Sequence, residues 1–329
     1  MMPANLPPDY YAAERRYRET GNVQEKIEIL REMLAIMPKH KGTEHLQGDL
    51  KRKIAKLQSQ SQKKQVRGSG PNLDHIPREG AGQVVLVGMP NSGKSSMLMK
   101  LTHAHSEAAD YPFSTFKPVP GMMSFEDIQI QLIDLPPVSE RYTESWVFNI
   151  IRLADLVLLL VDLSTDQFEN HLSETIARLE DHKISLRREG ENKPQGTIAH
   201  KSTLLVGTKT DNPLSLNNVE NFRSIDRVDF PVCTFSIHDP QKVNALKEAI
   251  FKGLRIIRIY TKTPGEKIKY DQPYVLPLGT TVFQGAMVIH KELAEKMKYA
   301  RLWGSDKYHG QRVERDYVIQ DRDIIEIHT

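Results

Sequence analysis

The sequence predicts an α/β fold, with a mostly parallel sheet and helices on both of its faces. Short apolar strands alternate with helical patterns between residues 80 and 255, and this rhythm is typical of parallel sheets. At the end of the first strand, the run from Gly88 to Ser95 fits the G-x-x-x-x-G-K-[ST] pattern of a phosphate-binding loop. Together these observations predict a P-loop nucleotide-binding domain.

Five strands of this domain are predicted from their apolar runs, at residues 84–87, 128–133, 156–161, 204–206 and 232–235. A helix over residues 96–102 leaves the loop. Another helix, around residues 172–186, reaches the strand at Thr203 through a short polar stretch. Ligands of such sheets bind at the carboxyl ends of the strands, which is where the phosphate loop lies.

Two further regions flank this domain. Residues 1–70 are predicted to form a helical extension and linker, because apolar residues recur at helical spacing on either side of Pro38. These residues are Ile27, Leu30, Leu34 and Met37, then Leu46, Leu50, Ile54 and Leu57. They predict a helical hairpin with a basic outer face. Residues 256–329 are predicted to form a small α+β domain, with strands at 257–261, 274–277 and 324–328 and a helix over 282–299.

The bulk composition favours a globular protein of the cytoplasm. The net charge is only +3, there is one cysteine in 329 residues, and the longest apolar run is strand-sized rather than membrane-spanning. No membrane partner is therefore expected. Charge alone does not indicate a nucleic-acid binder, although basic residues concentrate between residues 39 and 78.

The phosphate loop supplies most of the candidate site residues. Glycines at both ends let the backbone curl, so that several N–H groups point at an anion. Lys94 is expected to reach the terminal phosphates, and the Ser95 hydroxyl to ligand Mg²⁺. The other nucleotide-binding residues predicted in this run are Asn91, Ser92, Gly93 and Ser96.

A second motif indicates the base. Thr208, Lys209 and Asp211 follow a strand and match the [N/T]-K-x-D pattern of guanine-nucleotide-binding proteins. An aspartate here can accept two hydrogen bonds from guanine, whereas adenine would leave it unpaired. Asp134, which ends another strand, is expected to hold the Mg²⁺ shell. Ser236 lies where contacts to the guanine carbonyl usually arise, although an ordinary serine at a strand end explains it as well.

These residues in this order resemble the Obg-like GTPases, and among them the developmentally regulated GTP-binding subfamily. Residues 41–57 look like the helical segment that precedes the G domain in that family. Residues 109–115, Ala-Asp-Tyr-Pro-Phe-Ser-Thr, look like its A-x-Y-P-F-T-T switch segment. Residues 260–327 look like its β-grasp-like TGS domain. The resemblance covers nearly the whole chain.

The resemblance implies roles that the residues alone do not. Thr115 would be the switch threonine that ligands Mg²⁺ when the γ-phosphate is present, and with Lys94 it would form the catalytic set. Asn91 matches a loop asparagine that helps to bind an activating K⁺ in related GTPases, and as a plain turn residue it has a simpler explanation. The family is associated with ribosomes or RNA, so such a partner is expected besides GTP and GDP.

The chain departs from the family pattern at two places. The D-x-P-G motif reads Asp134-Leu135-Pro136-Pro137, and proline has no N–H to donate to a γ-phosphate. Val138 stands where many GTPases have the glutamine that orients water. We therefore expect slow hydrolysis and little preference for GTP over GDP, unless Leu135 or Val138 supplies a shifted N–H. The small domain inserted in the G domain of the subfamily is expected to be missing.

Three functions remain open on the sequence alone. The first is a GTP-binding protein with weak GTPase activity that associates with the ribosome or RNA. The second is a guanine-nucleotide-binding scaffold that does not switch. The third is an RNA-binding protein with a vestigial nucleotide site.

Overall fold

A computed structural model describes residues 10, 13, 16, 23–37, 50, 52–53, 76–102, 117–139, 143–188, 197–225, 230–265, 273–304 and 310–329. The chain forms two units, residues 1–72 and 73–329. In the first unit, α1 (Val23–Ile36) buries Leu30 and Met33, which cluster with Met37 and Leu50. Leu50, Arg52 and Lys53 are helical, the last two of them exposed, and the rest of the predicted second helix lies outside the described residues.

The second unit contains a central α/β domain and a C-terminal domain. The strands of the central domain are β1 (Gln83–Gly88), β2 (Val119–Phe125), β3 (Ile128–Asp134), β4 (Leu156–Asp162), β5 (Ile184–Arg187), β6 (Ala199–Thr208) and β7 (Val232–Thr234). Its helices are α2 (Lys94–Thr102), α3 (Ser145–Leu153), α4 (Phe168–Asp181), α5 (Leu216–Arg223) and α6 (Pro240–Leu254).

The strand order of this seven-stranded sheet is β2-β3-β1-β4-β6-β5, and β7 also pairs with β6. Only the β2–β3 pair is antiparallel, so the other strands end at one common edge. Helices α3 and α4 cover one face of the sheet, and α2 and α6 cover the other. Each face is sealed by apolar side chains such as Val85 and Leu159 on one side and Leu86 and Leu158 on the other. The predicted fold class is confirmed.

In the central domain, one predicted helix was wrong in its end and two strands, β2 and β5, were missed. The helix expected over residues 172–186 ends at Asp181, because Lys183 takes a left-handed conformation (φ 59°) that turns the chain into β5. Ile184 and Leu186 then point into the core as strand residues do. Strand β2 was missed because Pro120 and Gly121 are unusual in a strand. Proline is tolerated here because β2 lies at the edge of the sheet.

The C-terminal domain is a five-stranded sheet packed on two helices. Its strands are β8 (Ile256–Thr261), β9 (Tyr274–Pro277), β10 (Tyr299–Trp303), β11 (Gln311–Val313) and β12 (Asp323–His328), and its helices are α7 (Val282–Ile289) and α8 (Lys291–Lys296). The strand order is β11-β10-β12-β8-β9. The single helix predicted over residues 282–299 was wrong, because extended backbone at His290 (φ −161°) separates α7 from α8.

An ionic cluster joins the C-terminal domain to the β2–β3 turn. The guanidinium of Arg258, only 3% exposed, donates to Asp127 at 2.7 Å and to Glu126. Within its own domain it also donates to Asp321 at 2.7 Å. Arg258 lies over the ring of Phe251, 4.9 Å from its centroid. This buried cation holds the C-terminal domain against the turn that precedes β3.

Among the described residues, no helix combines the length and the apolar character that crossing a bilayer requires.

Candidate nucleotide site

The phosphate loop connects the end of β1 to the start of α2, and its first residue, Gly88, lies beside Leu160 of β4. A Cβ atom at Gly88 would lie 2.5 Å from the carbonyl oxygen of Leu160, so only glycine fits at that position. Within the loop, Asn91 (φ 61°) and Gly93 (φ 89°) take left-handed conformations that curl the backbone. The predicted helix after the loop is confirmed as α2, which begins at Lys94.

Lys94 lies across the loop rather than in solvent. Its Nζ donates to the carbonyl oxygens of Gly88 at 3.1 Å and Met89 at 2.9 Å. Burial lowers the pKa of Lys94 to about 8, although the nearby carboxylate of Asp134 acts in the opposite direction. Neutral carbonyls compensate a buried ammonium poorly, so an anion held by the loop would be a stronger partner for Lys94.

Ser95 and Asp134 meet beside the loop. The Ser95 hydroxyl donates to Asp134 Oδ2 at 2.5 Å. Burial raises the pKa of Asp134, and the contacts with Ser95 and Lys94 offset this only in part. Among the described residues, Asp134 Oδ1 and Ser92 Oγ are buried without a hydrogen-bond partner. A hydroxyl, a carboxylate and unpaired oxygens are the hard donors that suit Mg²⁺.

The guanine motif follows β6 at the same edge of the sheet. Thr208 is buried, and its hydroxyl lies 2.9 Å from the Ser92 carbonyl oxygen in the phosphate loop, to which it donates. Lys209 takes a left-handed conformation (φ 57°), and its Nζ pairs with Asp162 Oδ2 at 2.6 Å. The structure therefore uses the Thr208 side chain to tie the two motifs together, and its contact with nucleotide stays a prediction.

Asp211 is the exposed acceptor of this motif. A hydrogen bond from Ser236 holds the pKa of Asp211 below its ordinary value, so the carboxylate is charged at neutral pH. Ser236 is buried, and its Oγ accepts the N–H of His238 at 3.1 Å. The structure thus places Ser236 beside Asp211 as a side-chain partner, while the predicted contact with the guanine carbonyl stays a prediction.

The segment after Asp134 packs into the core. Leu135 and Val138 are 2% and 0% exposed, and the Val138 N–H donates to the Gly88 carbonyl oxygen at 3.3 Å. A shifted N–H from Val138 is therefore already engaged with the phosphate loop. Thr115 and the rest of the predicted switch segment lie outside the described residues.

Sequence reasoning missed Asp162, which ends β4 just as Asp134 ends β3. Burial raises its pKa, but hydrogen bonds from Lys209 and Ser164 outweigh this effect and the pKa lies below its ordinary value. Asp162 therefore positions Lys209, the lysine of the guanine motif. The sequence does contain a signal for this residue, because Asp162 ends a strand whose other residues are all apolar.

A phosphate loop, a strand-ending aspartate and a T-K-x-D motif on one edge of this sheet define a P-loop GTPase domain. Residues 83–201 match the family described as 50S ribosome-binding GTPase, and residues 257–329 match the TGS domain family.

The chain is also similar to whole proteins of this class. Human developmentally-regulated GTP-binding protein 2 is 28% identical over 93% of this chain and 99% of its own length. Developmentally-regulated G-protein 1 of Arabidopsis thaliana is 28% identical over 92% and 90%. An uncharacterized GTP-binding protein of Methanocaldococcus jannaschii is 28% identical over 93% and 92%. The chain therefore contains a P-loop GTPase domain and a C-terminal TGS domain, and it is similar over nearly its whole length to developmentally regulated GTP-binding proteins.

The alignment with the human protein spans 362 positions, more than the 329 residues of this chain. Part of that protein therefore has no counterpart here. This supports the expectation that a domain inserted in the G domain is missing, and its place between α4 and β6 stays a prediction.

Proposed function

We propose that this protein binds GTP and GDP with Mg²⁺ in the cytoplasm and hydrolyses GTP slowly. One observation carries the proposal. The phosphate loop and the guanine motif lie on one edge of the sheet, and the Thr208 hydroxyl holds them together through Ser92. A nucleotide read at both its base and its phosphates fits such an arrangement, and the guanine motif selects GTP and GDP over ATP.

The proposed roles follow the positions of the residues. Lys94 and the backbone of residues 91–96 hold the phosphates, Ser95 and Asp134 hold Mg²⁺, and Lys209 and Asp211 read guanine. Bound Mg²⁺ would neutralise the charge that develops on the phosphate oxygens. Thr115 would join this set in the GTP-bound form, and Asn91 would contribute to a K⁺ site. The protein itself would act by positioning and charge neutralisation, since no general base is evident among the described residues.

We propose that GTP hydrolysis is slow because of the segment that follows Asp134. Pro136 and Pro137 have no N–H to offer to a γ-phosphate. The side chain at position 138 is a buried valine, which cannot orient an attacking water molecule. The Val138 N–H is engaged with Gly88, so a change of register would have to break that bond first.

Association with the ribosome or RNA is the less direct part of the proposal. It is supported by the match of residues 83–201 to the 50S ribosome-binding GTPase family. The exposed Arg52 and Lys53 in the N-terminal unit are also suited to contacts with phosphate groups. A steep fall of RNA or ribosome binding with rising salt would agree with such contacts, and a flat dependence would contradict them.

The test is equilibrium binding of GDP, a non-hydrolysable GTP analogue and ATP, with Mg²⁺ in K⁺ buffer. We expect both guanine nucleotides to bind within about threefold of each other, and ATP to bind at least about a hundredfold more weakly. ATP binding as tight as GDP binding would contradict the proposal. A GTP analogue bound far more tightly than GDP would show that the γ-phosphate is sensed despite Pro137.

A scaffold that holds nucleotide without switching is the second candidate. The bond from the Val138 N–H to Gly88 favours it, because this segment is already packed against the loop. Single-turnover measurement of GTP hydrolysis separates the two candidates. Hydrolysis that is abolished by Lys94→Ala supports the GTPase, and the absence of any hydrolysis supports the scaffold.

A further inference from the structure

A second cleft lies at the opposite edge of the same sheet. It has a volume of 630 Å³ and opens where β1, β4 and β6 begin, whereas the phosphate loop lies where β1 ends. Strand β9 of the TGS domain and the junction between α6 and β8 close its other side. A volume of this size falls within the range of small-molecule sites.

Most of the charged residues that line this cleft are cations. Among the described residues, Arg78, Arg152, Lys201 and Arg255 line it together with His200, and Asp155 is the only carboxylate. These cations come from four separate segments of the chain, and only the fold brings them together. A cluster of positive charge with a single counter-charge in a recessed site attracts anions.

The existing partners of these cations leave most of their charge uncompensated. Arg78 pairs with Asp155 at 3.0 Å, and Asp155 also accepts the N–H of Gln83. Lys201 donates to the carbonyl oxygen of Ala154 at 2.7 Å, and Arg152 to that of His182 at 2.6 Å. Within the described residues, no hydrogen bond or ion pair engages the exposed guanidinium of Arg255.

The charges around Lys201 indicate that the positive charge in the cleft is not fully compensated. Burial lowers its pKa; attraction to Asp155 acts against this, while repulsion from Arg78 adds to it. The cations are therefore close enough to repel one another. An anion placed among them would relieve that repulsion and stabilise the charged form of Lys201.

We infer that this cleft binds a compact phosphate-bearing anion, distinct from the nucleotide in the P-loop. Arginine forks and a lysine are the groups that recognise phosphate oxygens. Leu254 and Val275 add an apolar wall for the body of such a ligand. A recessed cleft favours a compact ligand over an extended acidic peptide, which would need a longer surface. The phosphate could belong to a free nucleotide or to the 5′ end of an RNA.

The experiment is calorimetric titration of the full chain with inorganic tripolyphosphate, with GDP and Mg²⁺ saturating so that the P-loop is filled. The test variant is Arg78→Gln/Arg255→Asn. Both side chains are exposed, and asparagine tolerates the left-handed backbone of position 255 (φ 52°). The control is Lys296→Gln/Arg301→Gln, which removes two exposed positive charges from the TGS domain, outside the cleft lining.

We expect the test variant to bind tripolyphosphate about tenfold or more weakly than the parent, and the control to bind it within about twofold. An unchanged GDP affinity in both variants shows that the nucleotide site is intact, so the result does not depend on the proposed GTPase function. Equal losses in test and control would overturn the inference, because they indicate attraction to overall charge. No binding by the parent, or displacement of GDP by the probe, would also overturn it.

Two further titrations distinguish the sources of phosphate, again with GDP and Mg²⁺ saturating. ATP binding that is lost in the test variant identifies a free nucleotide as the ligand. A short RNA that binds with a 5′ phosphate and not with a 5′ hydroxyl identifies an RNA end. Binding of an acidic peptide in preference to all phosphate probes would contradict the assignment to phosphate.

Discussion

The two edges of the central sheet are built in opposite ways. The carboxyl edge is assembled from short contiguous motifs, and among the described residues it holds buried polar atoms without a partner, such as Asp134 Oδ1. The amino edge is assembled from distant segments and is closed by the TGS domain, through the Arg258 cluster and the basic cleft. A site made from one contiguous motif can be read in a sequence, whereas a site made by packing two domains cannot. Four predictions test how far the two edges are independent.

The largest expected effect is at the carboxyl edge. In Asp211→Asn, an NH₂ group replaces one of the two carboxylate oxygens proposed to accept from guanine, so one hydrogen bond is lost and a donor faces a donor. We expect GDP to bind about a hundredfold more weakly, from about 3 kcal/mol of lost interaction. Fluorescence titration with a labelled GDP measures this change. Asp181→Asn is the control, since Asp181 is an exposed residue at the end of α4, near the opposite edge of the sheet, and an equal loss there would contradict the assignment.

The second effect is at the amino edge and concerns stability. Arg258→Met leaves Glu126, Asp127 and Asp321 without their shared cation. We expect a loss of about 2 kcal/mol in the free energy of unfolding, below the usual cost for a buried pair because the carboxylates are partly exposed.

Chemical denaturation measures the effect of Arg258→Met. In the control Arg322→Met, an exposed partner of Glu126 is removed, and we expect a loss of less than about 0.5 kcal/mol. The affinity for GDP should stay within about twofold in both variants. A large change in GDP affinity would show that the two edges are coupled.

The third prediction tests whether an N–H donor introduced at the carboxyl edge strengthens binding of the γ-phosphate. Pro137→Gly restores an N–H beside the γ-phosphate position. We expect the affinity for a GTP analogue relative to GDP to rise about tenfold, the usual value of one hydrogen bond to a charged group. Paired titrations of the two nucleotides measure it. An unchanged ratio would indicate that the bond between Val138 and Gly88 keeps this segment in place.

The smallest effect is a pH dependence of nucleotide binding. The pKa of Lys94 is about 8 in the ligand-free protein, and a bound phosphate raises it by favouring the charged form. Binding therefore takes up a proton as pH passes 8, and GDP affinity should fall about threefold between pH 7.5 and 8.5. Titrations at both pH values measure the fall. Lys94→Arg stays charged, so an equal fall in that variant would contradict the assignment to Lys94.

The strands and the loop of the carboxyl edge are predictable from the sequence for physical reasons, and the contacts of its residues with nucleotide stay predictions. The glycines and Lys94 belong to one short contiguous loop, so their spacing along the chain largely determines their arrangement in space. The buried strands β1, β3 and β4 were predicted because each is a nearly continuous apolar run. Strand β5 was missed since its four residues continue the helical pattern of α4, and only the left-handed Lys183 separates them.

The sequence predicts little of the amino edge. Arg258 alternates with apolar residues in β8 and reads as a solvent-facing strand residue, although it is almost fully buried. Its partners lie more than 130 residues earlier, at Glu126 and Asp127. The four cations of the cleft are equally scattered. Such partnerships depend on how two domains pack, which local patterns do not encode.

The hydrogen bond between Thr208 and Ser92 also bears on synthesis and folding of the chain. The two residues are 116 positions apart, so a ribosome releases the phosphate loop well before the segment proposed to read the base. With that role for the segment, the nascent chain holds a loop that can meet a phosphate but cannot tell GTP from ATP until β6 is made and pairs with β4. Guanine selectivity is therefore acquired late, and recovery of GDP binding during refolding would report docking of β6 rather than formation of the loop.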